Sequence, residues 1–145
     1  MTTQLESIRR QQKDSWNKIS SGWKKWDHMT MEFLKPMGDE IIRTLNVKDD
    51  DIVLDVAAGT GEPGLTIATM LTSGKVYIND IAENMVEIAR ENAIMRSIKN
   101  VETITAEVSE LPFADNTFDA ISCRFGFTFF PDMELNINME LNRMK

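Results

Sequence analysis

The sequence predicts an α/β fold in which a doubly wound parallel sheet is covered by helices. Residues 52–55 form a short apolar run that enters a glycine-rich turn, and a helical pattern follows at once. Further apolar runs alternate with helical patterns along the chain, which favours parallel strands joined by right-handed crossovers. The chain has 145 residues, 42% of them apolar, so we expect one domain with a substantial core.

Two helices are predicted ahead of the first strand, as an N-terminal cover within residues 1–48. The first spans residues 3–19, and Ser20-Ser21-Gly22 is expected to end it. The second is entered near Pro36 and is expected to cover the sheet edge near the first strand. The predicted apolar face of the first helix consists of Leu5, Ile8, Gln12, Trp16 and Ile19. That of the second consists of Phe33, Leu34, Met37, Ile41, Ile42 and Leu45.

Trp23 and Trp26 lie between these helices and admit two interpretations. They form either a hydrophobic flap over a ligand or anchors that pin a peripheral helix to the core, and the usual burial of aromatic rings favours anchoring. His28 is the only histidine and has no cysteine or acid partner at ligand spacing, so we expect no metal site here.

The core is predicted for residues 49–145, with strands and helices alternating. Its elements after the first strand are predicted as a helix at 65–71, a strand at 75–80, a helix at 83–98, strands at 101–106 and 118–125, and a helix from Pro131. The inner face of the middle helix is predicted to consist of Met85, Ile88, Ala89, Asn92 and Met95. We expect the strand order 3-2-1-4, with a ligand at the carboxyl ends of the strands. The residues expected at those ends are Asp55, Asp80, Glu107 and Arg124.

Composition excludes several classes of protein. The net charge of −7 argues against nucleic acid as a partner, because proteins that follow phosphates show a basic face. The single cysteine, Cys123, excludes an internal disulfide and a multi-cysteine zinc site, and we expect it to be a strand residue. The polar start of the chain lacks the apolar core of a signal peptide, and no run reaches membrane-spanning length, so we expect a cytoplasmic protein.

The glycine-rich turn raises the question of which nucleotide-like ligand it holds. Residues 59–64, GTGEPG, match G-x-G-x-x-G, and Asp80 lies near the expected distance for a ribose-binding acid, so a nicotinamide cofactor is one alternative. A pyrophosphate needs free amides and positive potential, whereas Glu62 adds a carboxylate and Pro63 removes a donor. Asp55 adds another negative group. The turn therefore favours a ligand with positive charge and no phosphate, such as S-adenosylmethionine.

Three segments in the correct order resemble the class I S-adenosylmethionine-dependent methyltransferases, specifically the ubiquinone and menaquinone biosynthesis branch. They are VLDVAAGTGEPGLTIA, YINDIAENMVEIAREN and TAEVSELPFADNTFDAISCRFGF. The resemblance spans essentially the whole chain. It implies a Rossmann-like methyltransferase fold, S-adenosylmethionine as cofactor, S-adenosylhomocysteine as product and a small-molecule acceptor. Ala57 replaces the usual first glycine, so we expect an ordinary backbone conformation there, and Ala82 replaces a frequent serine, which predicts a weaker helix cap.

The resemblance also assigns roles to individual residues. It implies that Asp80 binds both ribose hydroxyls, that Asp55 organises the turn and helps bind the methionine ammonium, and that Ala57, Gly59 and Gly61 surround the amino-acid end of the cofactor.

At the adenine, the resemblance implies that Glu107, in place of the commoner aspartate, accepts a hydrogen bond from the amino group, and that Val108 supplies a backbone amide. Ile81 and Met85 are expected to sandwich the base, although Met85 fits plain core packing equally well. No catalytic base stands out in the sequence. The complete predicted cofactor site is Asp55, Ala57, Gly59, Gly61, Asp80, Ile81, Met85, Glu107, Val108 and Arg124.

The resemblance further predicts a truncated sheet. The family's sheet continues for three more strands, whereas here the chain ends at ELNRMK, so we expect the fourth strand to be an open edge. Either a second copy pairs with this edge in a homodimer, or the protein tolerates a short sheet. Three functions are considered. They are methyl transfer to a small apolar molecule, non-catalytic S-adenosylmethionine binding and, less favoured, nicotinamide-dependent oxidation or reduction.

Overall fold

The computed structural model describes residues 3–145 and contains a four-stranded parallel sheet of order β3-β2-β1-β4. The strands are β1 (Ile52–Asp55), β2 (Lys75–Asp80), β3 (Val101–Thr105) and β4 (Ala120–Ser122). Asp55 lies opposite Ile78 on one side and Ser122 on the other. The predicted fold class and strand order are confirmed, and the direction of winding reverses between β1 and β4.

Five α-helices accompany the sheet. They are α1 (Gln4–Lys25), α2 (Asp27–Leu45), α3 (Gly64–Met70), α4 (Glu83–Met95) and α5 (Met133–Arg143). Short 3-10 turns cover Val108–Glu110 and Gly126–Phe129, and β4 is limited to Ala120–Ser122, within the strand predicted at 118–125. Between residues 3 and 145, no helix combines the length and the apolar character needed to cross a membrane.

The core consists of two layers because neighbouring residues of a strand point to opposite faces of the sheet. On one face, Val53 packs with residues of α3 and α4, such as Ile67 and Ala89. On the other face, Leu54 packs with Phe118, whose ring is fully buried. Each such side chain stabilises the fold by about 1.5–3 kcal/mol relative to its exposed state.

Helix α1 continues six residues beyond its predicted end. Ser20 is accommodated inside the helix because its hydroxyl donates to the carbonyl of Asn17 at 2.7 Å. Trp23 then packs its ring 6.1 Å, centroid to centroid, from that of Trp16, two turns back on the same helix, and this contact favours continuation of the helix through the Ser-Ser-Gly segment. The buried face is also shifted by one position, since Ile19 is 46% exposed whereas Ser20 is buried.

Polar contacts to α4 explain the position of α1. The side-chain oxygen of Asn17 accepts a hydrogen bond from the backbone N–H of Asn84, in the first turn of α4, at 3.0 Å. The same amide side chain donates to Glu83, and Lys13 pairs with Glu83 at 3.0 Å. Ala82, as expected, supplies no side-chain cap to α4. The side-chain oxygen of Asn17 in α1 instead accepts a hydrogen bond from the first turn of α4. Hydrophobic spacing alone could not predict this docking.

Helix α2 begins at Asp27, nine residues before the predicted entry at Pro36. Pro36 lies in the helix interior, where it lacks the amide that would bond to residue 32. Two members of the predicted inner face point outward, because Phe33 is 76% exposed and Met37 is 37% exposed. Met95 of α4 was likewise predicted to be internal but is 75% exposed, since α4 ends there and not at residue 98.

The last residues of the chain run beside the start of β4. The backbone N–H of Phe118 donates to the carbonyl of Arg143, and that of Lys145 donates to the carbonyl of Phe118, both at 2.9 Å. Met144 forms an isolated parallel bridge with Phe118. Within residues 3–145, the outer side of β4 itself pairs with no other strand, so the expected open edge is present along Ala120–Ser122.

Candidate functional site

A cavity of about 310 Å³ lies at the carboxyl ends of the strands, between the sheet and the two N-terminal helices. We call the turns that follow the strands (residues 55–64, 79–82 and 106–108) the strand-end floor, and we call α1 and α2 the helical cover. The volume lies at the lower end of the range found for small-molecule sites. The doubly wound fold places a binding cavity at this edge of the sheet because the winding reverses there.

Asp80 is the central carboxylate of the floor. Its Oδ2 accepts a hydrogen bond from the N–H of Gly59 and its Oδ1 accepts one from the N–H of Ala82, each at 2.9 Å. Burial raises the pKa of Asp80, and the backbone hydrogen bonds, led by that from Ala82, oppose the shift. Because a carboxylate offers about four lone-pair sites, two amides leave Asp80 able to accept further hydrogen bonds from a ligand.

The turn after β1 opens its backbone to the cavity. At Gly59 the backbone has φ +57°, and the position of a Cβ would have no neighbour within 4 Å. Ala57 was predicted to have an ordinary conformation but has φ +51°, in the left-handed region, at a cost of about 1 kcal/mol. This conformation lets the next amide, of Ala58, donate to the carbonyl of Asn79 at 2.9 Å, which ties the turn to β2.

Asp55 and Gly61 lie outside the cavity, although both were predicted to bind the cofactor. Asp55 is fully buried, its Oδ2 accepts from the N–H of Gly64 at 2.7 Å, and its Oδ1 accepts from the hydroxyl of Ser122 at 2.6 Å. Burial raises the pKa of Asp55 to about 7. At Gly61, a Cβ would lie 2.7 Å from Leu65 Cδ1. Both residues therefore shape the turn and do not line the cavity.

The negative charge of the turn is partly compensated. Glu62 pairs with Arg96, and its Oε2 accepts a hydrogen bond from the N–H of Thr66 at 3.1 Å. Arg124 is half-buried, and its guanidinium lies 3.3 Å from the sulfur of Met31. Burial lowers the pKa of Arg124, while the charges of Asp55 and Glu62 oppose this shift. The turn is therefore less negative in the structure than its sequence suggests, so it disfavours a pyrophosphate less strongly.

Glu107 and Val108 form the third side of the floor. The Oε2 atom of Glu107 accepts hydrogen bonds from the backbone N–H, at 2.7 Å, and the hydroxyl of Ser109. Its Oε1 atom lies 3.4 Å from Nε of Arg9 in α1. The carbonyl of Val108 accepts from the buried guanidinium of Arg143 at 3.0 Å, so α5 fixes this segment.

Aromatic rings form the upper wall. The ring of Trp16 lies 5.1 Å from that of Phe129, edge to face, and both line the cavity together with Trp23. Trp23 is therefore placed as the flap interpretation predicts, whereas Trp26 is 52% exposed and anchors nothing in the core. Met85 is 2% exposed and still lines the cavity, so core packing and ligand contact are compatible at this residue.

The structure brings together eight of the ten predicted site residues and adds others that the sequence analysis missed. The hydroxyl of Thr60 is buried beside the cavity and has no hydrogen-bond partner in the structure. Arg9, Gln12, Trp16 and Trp23 line the cavity from one face of α1. The spacing of these four residues places them on one face of the helix and could have predicted the lining. Arg9 was not assigned to that face because it is charged. The eight predicted residues are Ala57, Gly59, Asp80, Ile81, Met85, Glu107, Val108 and Arg124.

The site offers binding groups more than reactive ones. The ionisable side chains that line it are Arg9, Glu62, Asp80, Glu107 and Arg124. The thiol of Cys123 lies nearby, but burial raises its pKa to about 12, so it remains protonated. Across residues 3–145, no group of three or more His, Cys, Asp and Glu side chains is arranged to hold a metal ion.

Comparisons with known proteins agree with this geometry. The model of the ubiE/COQ5 methyltransferase family matches residues 5–145. A demethylmenaquinone methyltransferase from Geobacillus stearothermophilus is 32% identical over 106 residues, which cover 72% of this chain and 45% of that protein. One from Bacillus mycoides is 34% identical over 106 residues, covering 72% and 44%. The chain thus spans less than half the length of these curated relatives.

Solved structures show the same fold. The crystal structure of a SAM-dependent methyltransferase from Aquifex aeolicus matches with a TM-score of 0.68 and 29% identity, over 74% of this chain and 58% of that one. A putative S-adenosyl-L-methionine-dependent methyltransferase from Methanococcus maripaludis matches with a TM-score of 0.78 over 89% and 59%; at 18% identity it supports the fold alone. The predicted family resemblance is confirmed.

Proposed function

The chain belongs to the ubiE/COQ5 methyltransferase family, and from this premise we propose that its cavity binds S-adenosylmethionine for methyl transfer to a small apolar acceptor. The single observation that carries the proposal is Asp80. Its carboxylate lies at the end of β2, is oriented by two backbone amides and retains acceptor capacity toward the cavity. Such a group suits two vicinal hydroxyls, as in a ribose.

Other features of the floor fit the cofactor. The open backbone at Gly59 permits close approach of a ligand, because no side chain stands between the main chain and the cavity. The unpaired, buried hydroxyl of Thr60 needs a partner that the protein does not provide. Ile81 and Met85 supply apolar surface beside Asp80 for a flat ring. These residues would hold the ribose, the amino-acid end and the base.

S-adenosylmethionine, when bound, supplies a methyl carbon that is already activated by a sulfonium. The protein's own work is then to orient the acceptor and to exclude water. Trp16, Trp23 and Phe129 form an apolar wall suited to both tasks. Asp80 and Glu107 each accept hydrogen bonds from neighbouring backbone groups, so we assign neither as a general base. With no base assigned, the acceptor must already be nucleophilic when it binds, and the proton that it loses on methylation passes to solvent.

The relatives favour a quinone-derived acceptor. The two named above are demethylmenaquinone methyltransferases. An aromatic ring of this type matches the Trp16 and Phe129 wall through edge-to-face and stacking contacts, each worth about 0.5–1.5 kcal/mol. We propose the reduced form as the acceptor because a hydroquinone ring is nucleophilic, whereas a quinone is electrophilic.

Calorimetric titration tests the cofactor assignment. The chain is expected to bind S-adenosylhomocysteine and to leave NAD unbound. Asp80→Ala is expected to weaken binding by about 1–3 kcal/mol, the cost of losing a charge-assisted contact. Glu87→Ala, on the exposed side of α4 and outside the cavity lining, is the control and should leave the affinity unchanged. Binding of NAD in preference, or an unchanged affinity in Asp80→Ala, would contradict the proposal.

A methylation assay separates an enzyme from a binding module. Radiolabelled methyl transfer to reduced demethylmenaquinone would support methyltransferase activity in this chain. Tight binding of S-adenosylhomocysteine without transfer to any of a panel of hydroquinones and phenols would favour the non-catalytic alternative. Size-exclusion chromatography with light scattering on the same sample tests the proposed homodimer through the edge of β4, which a monomer at high concentration would contradict.

A further inference from the structure

Glu107 has one committed oxygen and one that is available. Its Oε2 is occupied by the N–H and the hydroxyl of Ser109, which bend the side chain back over the following turn. Its Oε1 has the guanidinium of Arg9 as a salt-bridge partner, and the residue is only 9% exposed. A carboxylate oxygen that lines a ligand cavity and has no close hydrogen bond is available to a donor from the ligand.

The contact with Arg9 is incomplete. The distance from Arg9 Nε to Glu107 Oε1 is 3.4 Å, beyond the usual 2.7–3.2 Å for an N–H···O hydrogen bond. Nε of Arg9 is itself buried and has no hydrogen-bond partner. Both groups line the cavity, so charge attraction holds Oε1 toward Arg9 without saturating it. The guanidinium thus directs this oxygen while leaving it able to accept.

The position of Arg9 does not depend on Glu107. Helix α1 is held on α4 by the bonds of Asn17 to Asn84 and by the pairs Lys13–Glu83 and Lys24–Glu91, at 3.0 and 2.5 Å. Arg9 lies about two helical turns from Asn17 on the same helix, so these anchors also set its place over the floor. The backbone of Arg9 is therefore held over the floor by contacts that do not involve Glu107.

We propose that Arg9 is a positioning residue that holds Glu107 Oε1 toward the cavity, where this oxygen selects a ligand amino group over a carbonyl. The inference rests on the proposed function, because it assumes that Glu107 faces the purine of the cofactor. It assigns to α1 a share in cofactor selectivity. Arg9 acts here mainly through its charge, which attracts Oε1 at 3.4 Å without a close hydrogen bond.

Calorimetry with S-adenosylhomocysteine and its 6-oxo analogue, S-inosylhomocysteine, tests this inference. The wild-type chain should prefer the amino compound about tenfold or more, because a carbonyl cannot donate to Glu107. Arg9→Met keeps much of the apolar stem but removes the charge, and it should weaken binding of S-adenosylhomocysteine about tenfold and reduce the preference. Arg10→Met, an exposed neighbour on the same helix, is the matched control and should change affinity less than twofold.

Further variants exclude a merely structural effect. Arg9→Lys should restore most of the affinity, whereas Glu107→Gln should abolish the preference between the two ligands. The double variant Arg9→Met with Glu107→Gln should bind no worse than Glu107→Gln alone, since Arg9 acts through Glu107. Additive losses, or equal effects of Arg9→Met and Arg10→Met, would overturn the inference while leaving the proposed function intact. A wild-type chain that binds neither ligand would overturn the proposed function itself.

Discussion

The strand-end floor and the helical cover enclose the same cavity but are held in different ways. The floor is fixed by buried hydrogen bonds, such as those of Asp55 with Gly64 and Ser122. The cover is fixed largely by exposed contacts, such as those of Asn17 with Asn84. A buried polar group that loses its partner costs the full desolvation penalty, whereas an exposed one regains water. The floor is therefore inseparable from the fold, while the cover can be loosened independently.

This difference also assigns the two regions different duties. The floor presents hydrogen-bond acceptors in fixed positions and an open backbone, which suit the ribose and the amino-acid end of the cofactor. The cover presents aromatic rings and Arg9, which line the opposite side of the cavity from the floor and would contact the rest of the ligand. Variants that remove the buried hydrogen bonds of the floor, such as those of Asp55, should lower the stability of the fold. Variants of the cover should change binding while the sheet stays intact.

The largest predicted effect tests the floor, because the free energy of unfolding should depend on the titration of Asp55. Its pKa is about 7 in the folded chain against an ordinary 3.8, because burial favours the protonated form. The folded state therefore holds a proton that the unfolded state has released, so stability should fall as pH rises from about 4 to about 7. A shift of about three pKa units corresponds to a loss on the order of 4 kcal/mol over this range.

Urea unfolding of the wild type and of Asp55→Asn at pH 5 and pH 7.5 measures this effect. The asparagine keeps both hydrogen bonds, since its oxygen accepts from Gly64 and its amide donates to Ser122, but it does not titrate. The wild type should lose stability relative to Asp55→Asn as pH rises. Asp14→Asn, on the exposed side of α1, is the control from the cover. Parallel pH curves for the wild type and Asp55→Asn would contradict the assignment.

A smaller effect is expected from Asn17→Ala in the cover. The variant removes the hydrogen bond to the N–H of Asn84 and the one to Glu83, so we expect a loss of about 1 kcal/mol, typical of a helix cap. Hydrogen exchange should accelerate in α1 and remain slow in β1 and β2, and ligand affinity should fall. Lys18→Ala, an exposed neighbour, serves as the control. Equal acceleration in the sheet would show that cover and floor open together.

The smallest effect is expected from Ala57→Gly in the floor. Ala57 has φ +51°, which glycine adopts without penalty, so the folded state should gain somewhat under 1 kcal/mol after the entropy of the unfolded chain is counted. The thermal unfolding midpoint should rise slightly, with affinity for S-adenosylhomocysteine unchanged. A clear fall in the midpoint would mean that the methyl group packs favourably against the bare backbone of Gly126.

The sheet could be predicted from sequence because its signals are local. Each signal spans only a few residues: the short apolar runs, the glycine-rich turn and the acid at the end of β2. The rule of right-handed crossovers then determines how the strands are connected. The strand order and the location of Asp80 follow from these alone. Of the four residues that this pattern placed at the strand ends, Asp80, Glu107 and Arg124 line the cavity and Asp55 does not, whereas the other five predicted residues that line it were implied by the family resemblance.

The cover could not be predicted as well because its structure depends on distant partners. Ser20 and Gly22 signal a helix end, yet α1 continues to Lys25, where Lys24 pairs with Glu91 of α4. Asn17 caps a helix 66 residues away, and no local pattern announces this. Ala57 was assigned an ordinary conformation because a single residue does not reveal the reversal that the turn requires. Arg9 was passed over because charged residues on a helix usually face water.

The placement of the ring systems gives each region its own optical label. All three tryptophans, Trp16, Trp23 and Trp26, belong to the helical cover or to the junction between its helices, whereas the only tyrosine, Tyr77, lies in β2 with its ring 4.9 Å from that of Phe113. Tryptophan emission thus reports on the helical cover, and second-derivative absorbance, which separates tyrosine from tryptophan, reports on the sheet, without any added dye. A single sample followed by both signals during unfolding can show whether the helical cover detaches before the sheet unfolds.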